Sequence, residues 1–242
     1  MELSKRLQAL AELVTPGDIV ADVGTDHAYL PIYLLNSGKC PGAIAMDVRE
    51  GPLQHAEENR RKYLERGELS LRLSNGLEAL QPGEVQCVVL AGMGGGLVIR
   101  ILSERMAKDE LSGLAEYYIL QPQSEIRNVR EFLNREGFCC IQEKMVEDRG
   151  KYYPMMKVIP PRKGVEAEHS WKEEELLYGK LLLGKKDPLL KQLLLRDQGI
   201  CEGILDKLEK ESDTADTKSC GRRVRELHQE LERIHSALRR YD

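Results

Sequence analysis

Ile19-Val20-Ala21-Asp22-Val23-Gly24-Thr25-Asp26-His27 is a short apolar run that closes on acidic residues around a tight glycine turn. A second apolar run, Ala43-Ile44-Ala45-Met46, ends in Asp47. Two such strands, separated by one helix-length segment, make the nucleotide-binding half of a doubly wound α/β sheet, whose ligands sit at the carboxyl ends of the strands. Asp47 stands where a carboxylate accepts hydrogen bonds from the hydroxyls of an adenosine ribose. Val48 follows it in the same loop.

The glycine turn discriminates between adenosine ligands. A dinucleotide fold uses G-x-G-x-x-G, so that the backbone closes on a pyrophosphate at a helix N-terminus. Here the second glycine of that pattern is Asp26. A carboxylate against a pyrophosphate is a like-charge contact costing on the order of several kcal/mol in a partly dry site. S-adenosylmethionine has no phosphate and carries an ammonium and a sulfonium, both attracted by Asp22 and Asp26. The turn therefore favours S-adenosylmethionine over NAD. Gly24, Thr25 and His27 complete the loop, and for His27 a plain polar turn competes with a role in catalysis.

Strand-like runs recur at Ile19–Val23, Ala43–Met46, Leu69–Leu73, Val85–Leu90, Tyr117–Gln121, Phe138–Val146 and Tyr152–Ile159. Helical stretches such as Gly51–Arg66 and Leu97–Ala107 separate the early ones, and a first helix runs from Leu3 to Val14, ended by Pro16-Gly17. The last two strands have no helix between them, only Glu147-Asp148-Arg149-Gly150-Lys151, and read as a hairpin. Alternating β and α closed by an antiparallel hairpin predicts an α/β fold with the Rossmann-like sheet of a class I methyltransferase.

Pro160-Pro161-Arg162-Lys163-Gly164 breaks this alternation. The expected domains are residues 1–160, binding the cofactor, and 165–242, an α-helical hairpin or coiled coil. Asp187-Pro188 reads as an N-cap followed by proline at the first helical position. Val224, Leu227, Leu231, Ile234 and Leu238 form a heptad seam, with Leu190, Leu193, Ile200 and Ile204 as its expected facing seam. Whether the seam closes within one chain or between two is left open by spacing; a monomer or weak dimer is expected.

Three more loops follow strands at the same sheet edge. Ser74-Asn75-Gly76 is explained either by a turn needing positive φ or by an amide beside an adenine edge. In Ala91-Gly92-Met93-Gly94-Gly95-Gly96 glycines let a planar ring approach the backbone or let a helix begin close by. The run lacks the side-chain acceptor that deprotonates an exocyclic amine. A ring nitrogen such as adenine N1 already has its lone pair, so the omission favours a ring-nitrogen acceptor. Gln121-Pro122-Gln123-Ser124 supplies amides able to read the edge of a flipped base, or an N-cap at Ser124. Lys5, Arg6, Arg127 and Arg130 are candidate phosphate contacts, against the commoner reading of a solvated charged face.

Composition sets outer limits. The 242 residues carry a net charge of −4 and are 41% hydrophobic, 31% charged and 5% aromatic. That balance counts against a non-specific nucleic-acid binder without excluding an enzyme with one basic face. No apolar run reaches membrane-span length and the start lacks a signal-peptide core. None of the six cysteines is spaced C-x-x-C, so no metal centre is expected and a reducing cytoplasm is the expected compartment.

Together Asp22-Val23-Gly24-Thr25-Asp26-His27-Ala28-Tyr29-Leu30-Pro31, Ala91-Gly92-Met93-Gly94-Gly95 and Leu120-Gln121-Pro122-Gln123 resemble the bacterial TrmK family. So do Leu3-Ser4-Lys5-Arg6-Leu7 and Lys151-Tyr152-Tyr153-Pro154-Met155. The resemblance implies tRNA (adenine-22-N1)-methyltransferase activity with S-adenosylmethionine, on a Rossmann-like domain with a C-terminal coiled-coil extension. It also implies that Asp22, Gly24, Asp26, Asp47, Asn75 and the loop from Ala91 to Gly95, with Met93 and Gly94 in it, line the cofactor and base pocket. The alternatives are another nucleic-acid or small-molecule methyltransferase on this fold, and a non-catalytic module with a vestigial pocket.

Overall fold

The computed structural model describes residues 1–108, 111–161, 171–211 and 217–242. Two compact units divide at Trp171 and Lys172. Of the proline-rich break, Arg162, Lys163 and Gly164 lie outside the described residues.

The first unit runs α1 (Lys5–Leu13), β1 (Val20–Val23), α2 (Tyr29–Asn36), β2 (Gly42–Asp47), α3 (Glu50–Tyr63), β3 (Glu68–Leu73) and β4 (Cys87–Ala91). It continues with α4 (Gly95–Met106), α5 (Leu111–Leu114), β5 (Tyr117–Gln121), α6 (Ile126–Arg135), β6 (Cys139–Asp148) and β7 (Lys151–Ile159). The strands form one sheet in the order β3-β2-β1-β4-β5-β7-β6. The first five are parallel, and β7 runs antiparallel to both β5 and β6. The expected mixed α/β Rossmann-like sheet, closed by an antiparallel hairpin, is therefore present.

The central strands are apolar without alternation because both faces are covered. On β4, Cys87 and Val89 pack into the layer with α1 and α2, while Val88 and Leu90 pack into the layer with α4 and α6. At the hairpin the strands extend through Asp148 and Lys151, which pair directly. Only Arg149 and Gly150 turn the chain, with φ of 54° and 78°. Two consecutive left-handed residues match the twist of a two-residue hairpin, so the five-residue separator expected from sequence is too long.

The helix α1 is shorter than Leu3 to Val14. The Ser4 hydroxyl caps it, accepting from the Leu7 amide at 3.3 Å, and Val14 is already extended. Arg130, on the inner face of α6, is buried, with its guanidinium 3.0 Å from the buried Glu143 carboxylate of β6. This corrects the phosphate-contact reading: helical periodicity turns Arg130 toward the sheet, where a cation persists because an anion faces it.

The second unit holds α7 (Glu173–Tyr178), α8 (Lys180–Gly184), α9 (Pro188–Glu211), α10 (Thr217–Leu238) and a 3₁₀ turn at Arg239–Tyr241. The Asp187 carboxylate accepts from the amides of Leu189 and Leu190 at 3.0 and 3.2 Å, capping α9 ahead of Pro188. The helices α9 and α10 pack antiparallel. Tyr241 donates to the Asp187 carbonyl at 2.9 Å, and Cys201 lies beside Glu230.

On α10 the buried positions are Leu227, Leu231, Ile234 and Ala237, so Ala237 rather than Leu238 ends the stripe. On α9 they are Leu190, Leu194, Cys201 and Leu205, while Ile200 is 52% exposed. The expected facing seam is thus off by one residue after Leu190, a rotation of about 100°. Apolar residues at 193/194, 200/201 and 204/205 offer two adjacent stripes, and only the packed partner chooses between them. Among the described residues no helix is long and apolar enough to cross a membrane.

Removing one member of a buried ion pair strands the other charge, at a cost of about 3–5 kcal/mol. Glu143→Ala is expected to lower unfolding free energy by that amount, and Arg130→Met with Glu143→Leu to recover most of it. Chemical denaturation decides; a single-mutant loss below about 1 kcal/mol would show that the pair is solvated.

Candidate functional site

The order reverses between β1 and β4, which leaves a crevice above their carboxyl ends. A cavity of about 280 Å³ occupies it. Its walls are Arg6, Leu7 and Leu10 of α1, Asp22 of β1, the loop from Gly24 through Ala28, Tyr29 and Leu30 at the start of α2, Ala91 at the end of β4, Gly92 after it, and Gln123 after β5.

Gly24 takes φ of 76°, and the Gly24 and Thr25 amides donate to the Met46 carbonyl at 2.8 and 2.9 Å. The turn is thereby curled toward β2. A Cβ at Gly24 would stand 3.0 Å from the Met93 methyl, so Met93 packs on the turn it helps to close. The buried Thr25 hydroxyl accepts from the Ala28 amide at 3.2 Å and donates to Asp22. Ala28 itself is buried with φ of 54°. A left-handed alanine costs about 1–2 kcal/mol, which the surrounding contacts offset.

Asp22 is the electrostatic centre of the cavity. Burial pushes its carboxyl up to about 6, opposed by the Thr25 hydroxyl and the Arg6 charge and reinforced by Asp47. Arg6 reaches in from α1 and donates to Gln121 Oε1 at 2.9 Å, with its guanidinium 5.9 Å from the centre of the Tyr153 ring. Its amide donates to Asp148 at 3.1 Å, tying α1 to the hairpin. Arg6 therefore faces the cavity rather than a phosphate-tracking surface. Gln121 is fully buried and committed to Arg6 and to the Pro122 carbonyl, so it does not read a base edge. Gln123 is exposed and lines the cavity.

The remaining candidates form a shelf beside the cavity. Asp47 Oδ1 accepts from the Arg49 amide at 2.9 Å, which orients the carboxyl at the end of β2. Val48 is 59% exposed and Leu73 55%, an uncommon exposure for large apolar side chains at strand ends. Ser74 is buried, with its hydroxyl donating to the Gly76 carbonyl at 2.9 Å and accepting from the Ala79 amide at 3.1 Å. It therefore shapes the loop and presents no free hydroxyl to a ligand. Gly76 takes φ of 57°, and Asn75 projects outward with its amide 3.4 Å from Glu78.

The glycine run divides in two. Gly92 faces the cleft, where a Cβ would stand 3.6 Å from Arg6. At Gly94, Gly95 and Gly96 the space is filled by the turn that starts α6. A Cβ on Gly95 would meet the Ser124 carbonyl at 2.6 Å, and the Glu125 carboxylate caps α4 at the Gly96 amide, 3.0 Å away. Gly94 therefore serves helix packing rather than a ligand ring. Glu125, not Ser124, is the residue before α6, with φ of 53°.

Asp26 has a side chain 71% exposed at the rim, 3.2 Å from His27 Nε2. Lys5 pairs with Glu147 at 3.9 Å and Arg127 with Glu131 at 2.8 Å, both on the surface. Sequence reasoning missed Leu7, Leu10, Tyr29 and Leu30 as walls. Their apolar spacing is indistinguishable from core: Leu7 and Leu10 become walls because α1 lies over the sheet edge, and Tyr29 and Leu30 because α2 begins where the glycine turn ends.

Residues 3–156 match the family model described as a methyltransferase domain. Over 238 residues the chain is 31% identical to the Bacillus subtilis protein named tRNA (adenine(22)-N(1))-methyltransferase, covering 98% of each chain. The crystal structure of the B. subtilis M1A22 tRNA methyltransferase TrmK matches with a TM-score of 0.77 at 30% identity, over 100% of this chain and 99% of that one. A Streptococcus pneumoniae structure, named a candidate tRNA (m1A22) methyltransferase and solved with S-adenosyl-L-methionine, matches with a TM-score of 0.79 at 30% identity. That match covers 98% of this chain and 100% of the other.

Because the Asp22 carboxyl is raised to about 6 by burial, its ionisation costs folding stability. Its contribution is fully present below about pH 4 and lost as pH rises through about 6. Asp22→Asn should therefore be more stable than wild type at pH 7–8, by roughly 2–3 kcal/mol, with the difference vanishing near pH 4. Denaturation at a series of pH values measures this, and a pH-independent difference would count against the buried carboxylate.

Proposed function

We propose how this chain, which belongs to the bacterial TrmK family of tRNA (adenine-22-N1)-methyltransferases, performs that reaction with S-adenosylmethionine. The observation that carries the reading is the pairing of one recessed carboxylate, Asp22, with one guanidinium, Arg6, in the same cavity. An α-amino acid end carries an ammonium and a carboxylate side by side, and this pair is its electrostatic complement. When bound, S-adenosylmethionine supplies an electrophilic methyl group on sulfur. Asp22 holds the ammonium and Arg6 the carboxylate. Asp47 accepts the ribose hydroxyls, Val48 and Leu73 cover the adenine ring and Asn75 meets its edge. Gly24, Thr25 and Ala91 supply backbone that closes on the ligand.

Chemistry at a ring nitrogen needs no general base, since adenine N1 attacks with its own lone pair. The rate then comes from alignment and from electrostatic support of a base that becomes cationic. Asp26, at the rim, offsets that charge, and the Gly92 carbonyl and Gln123 amide meet the base edge. His27 orients Asp26. Lys5 and Arg127 contact phosphates, so turnover falls with salt. Residues 1–160 carry the chemistry. Residues 165–242, with α9 and α10 as a short antiparallel coiled coil, grip the tRNA, and the enzyme works in the cytoplasm as a monomer or weak dimer.

Nucleoside mass spectrometry of tRNA incubated with enzyme and labelled cofactor tests the activity, which requires label in 1-methyladenosine at position 22. Arg6→Ala and Asp47→Ala are each expected to weaken cofactor binding roughly ten- to a hundredfold, the cost of a lost hydrogen bond to a charged group. Wild-type affinity should fall as pH drops through about 6, because Asp22 becomes neutral. Calorimetry showing unchanged affinity would remove the residue concerned from the site.

Asp26→Asn keeps the shape and one acceptor but removes the charge. A group acting only in the transition state shows its loss in kcat, whereas uniform binding shows it in KM. Single-turnover methylation at saturating cofactor and tRNA should slow about tenfold or more, the rate equivalent of ~1.4 kcal/mol. A mutant matching wild type there while its cofactor affinity collapses would make Asp26 a cofactor ligand instead.

A further inference from the structure

Asp26 and His27, in the loop between β1 and α2, face His55 on α3. One carboxylate oxygen and two imidazole nitrogens from these residues all lie within 4.8 Å of one another. The His27 and His55 rings stack with centroids 5.3 Å apart at 20°, and His27 stacks in turn on Tyr29 at 5.2 Å. Asn59, one helical turn after His55, donates its side-chain amide to the His27 carbonyl at 3.0 Å. The loop is thus fastened to the same face of α3 that presents the second imidazole.

From this arrangement we propose a divalent transition-metal site of two histidines and one aspartate at the rim of the cofactor cleft. Imidazole and carboxylate together suit zinc, nickel, cobalt or copper, whereas magnesium and calcium take oxygen sets. Metal–nitrogen bonds of about 2.0–2.1 Å place tetrahedral ligand atoms about 3.3 Å apart. Asp26 and His27 are already 3.2 Å apart, and His55, exposed at the helix surface, closes the rest by side-chain rotation. No fourth His, Cys, Asp or Glu joins the group among the described residues, so water fills the remaining positions and the ion exchanges freely.

Occupancy has a consequence for catalysis. The ion takes the Asp26 carboxylate, cancels its charge and pins the β1–α2 loop to α3, so methyl transfer stops while metal is bound. This inhibitory effect rests on the role of Asp26 given above; the binding itself does not.

Tag-free protein titrated with Ni²⁺ by calorimetry, and with Co²⁺ followed by its visible d–d absorption, reads binding without any activity assay. Wild type is expected to bind one equivalent. His55→Ala should bind at least tenfold more weakly and keep metal-free methylation, and it should lose the inhibition that Ni²⁺ imposes on wild type and a chelator reverses. Cys139→Ser, at an exposed thiol, should bind as wild type does. Equal binding by wild type and His55→Ala would overturn the site, as would loss of binding only in Cys139→Ser. Metal bound through His55 with methylation undiminished would overturn the inhibition.

Discussion

A carboxylate recessed at the end of β1 is costly to ionise, and much of the cleft is arranged around that cost. Burial pushes Asp22 up to about 6, and the Thr25 hydroxyl and the Arg6 guanidinium restrain the rise. Each of these partners is itself held. Thr25 is fixed by its bond to Ala28, whose strained φ of 54° is tolerated in a tightly packed turn. Arg6 is fixed by Gln121 and by the Tyr153 ring. The cleft thus holds a carboxylate and a guanidinium that act on one another electrostatically across its walls.

The same requirement explains why the first helix and the last hairpin belong to the site. Arg6 reaches the cavity only because α1 lies against β6 and β7. The Arg6 amide meets Asp148, and the Lys157 ammonium meets the Leu13 carbonyl at 3.0 Å and the Thr15 hydroxyl at 2.9 Å. Between α6 and the edge strand β6, Arg130 and Glu143 make a buried ion pair.

The glycine run after β4 shows how one stretch of sequence serves two needs. Gly92 opens the cleft toward Arg6 and Gln123, while Gly95 admits the Ser124 carbonyl, which a methyl group would strike. The Gln123 backbone N–H donates to the Met93 carbonyl at 2.9 Å, which ties the loop after β5 to the loop after β4. Residues that shape the pocket and residues that seat the helices are therefore neighbours in the chain.

Local pattern determined a great deal about this protein. Apolar runs closed by Asp22 and Asp47, turns at Gly24 and Gly92, and a hairpin after five parallel strands are short-range signals, so the sheet and its binding edge are legible in sequence. So is the cap at Asp187, because a carboxylate before proline at a helix start acts within one turn. Direction and partnership were not legible. Lys5, Arg6, Arg127 and Arg130 look alike as charges, yet one side chain enters the cleft, one is buried against Glu143 and two stay at the surface. Gln121 and Gln123 are two residues apart, yet Gln121 ends β5 inside the core while Gln123, past the end of the strand, lies on the loop that lines the cavity. The α9 seam lies on Leu194, Cys201 and Leu205 rather than on their neighbours, because two apolar stripes were available and contact with α10 chose one. Sequence sets which groups can ionise, cap or turn. Which of them meet is settled by packing between segments far apart in the chain, since burial and charge pairing are properties of the assembled core.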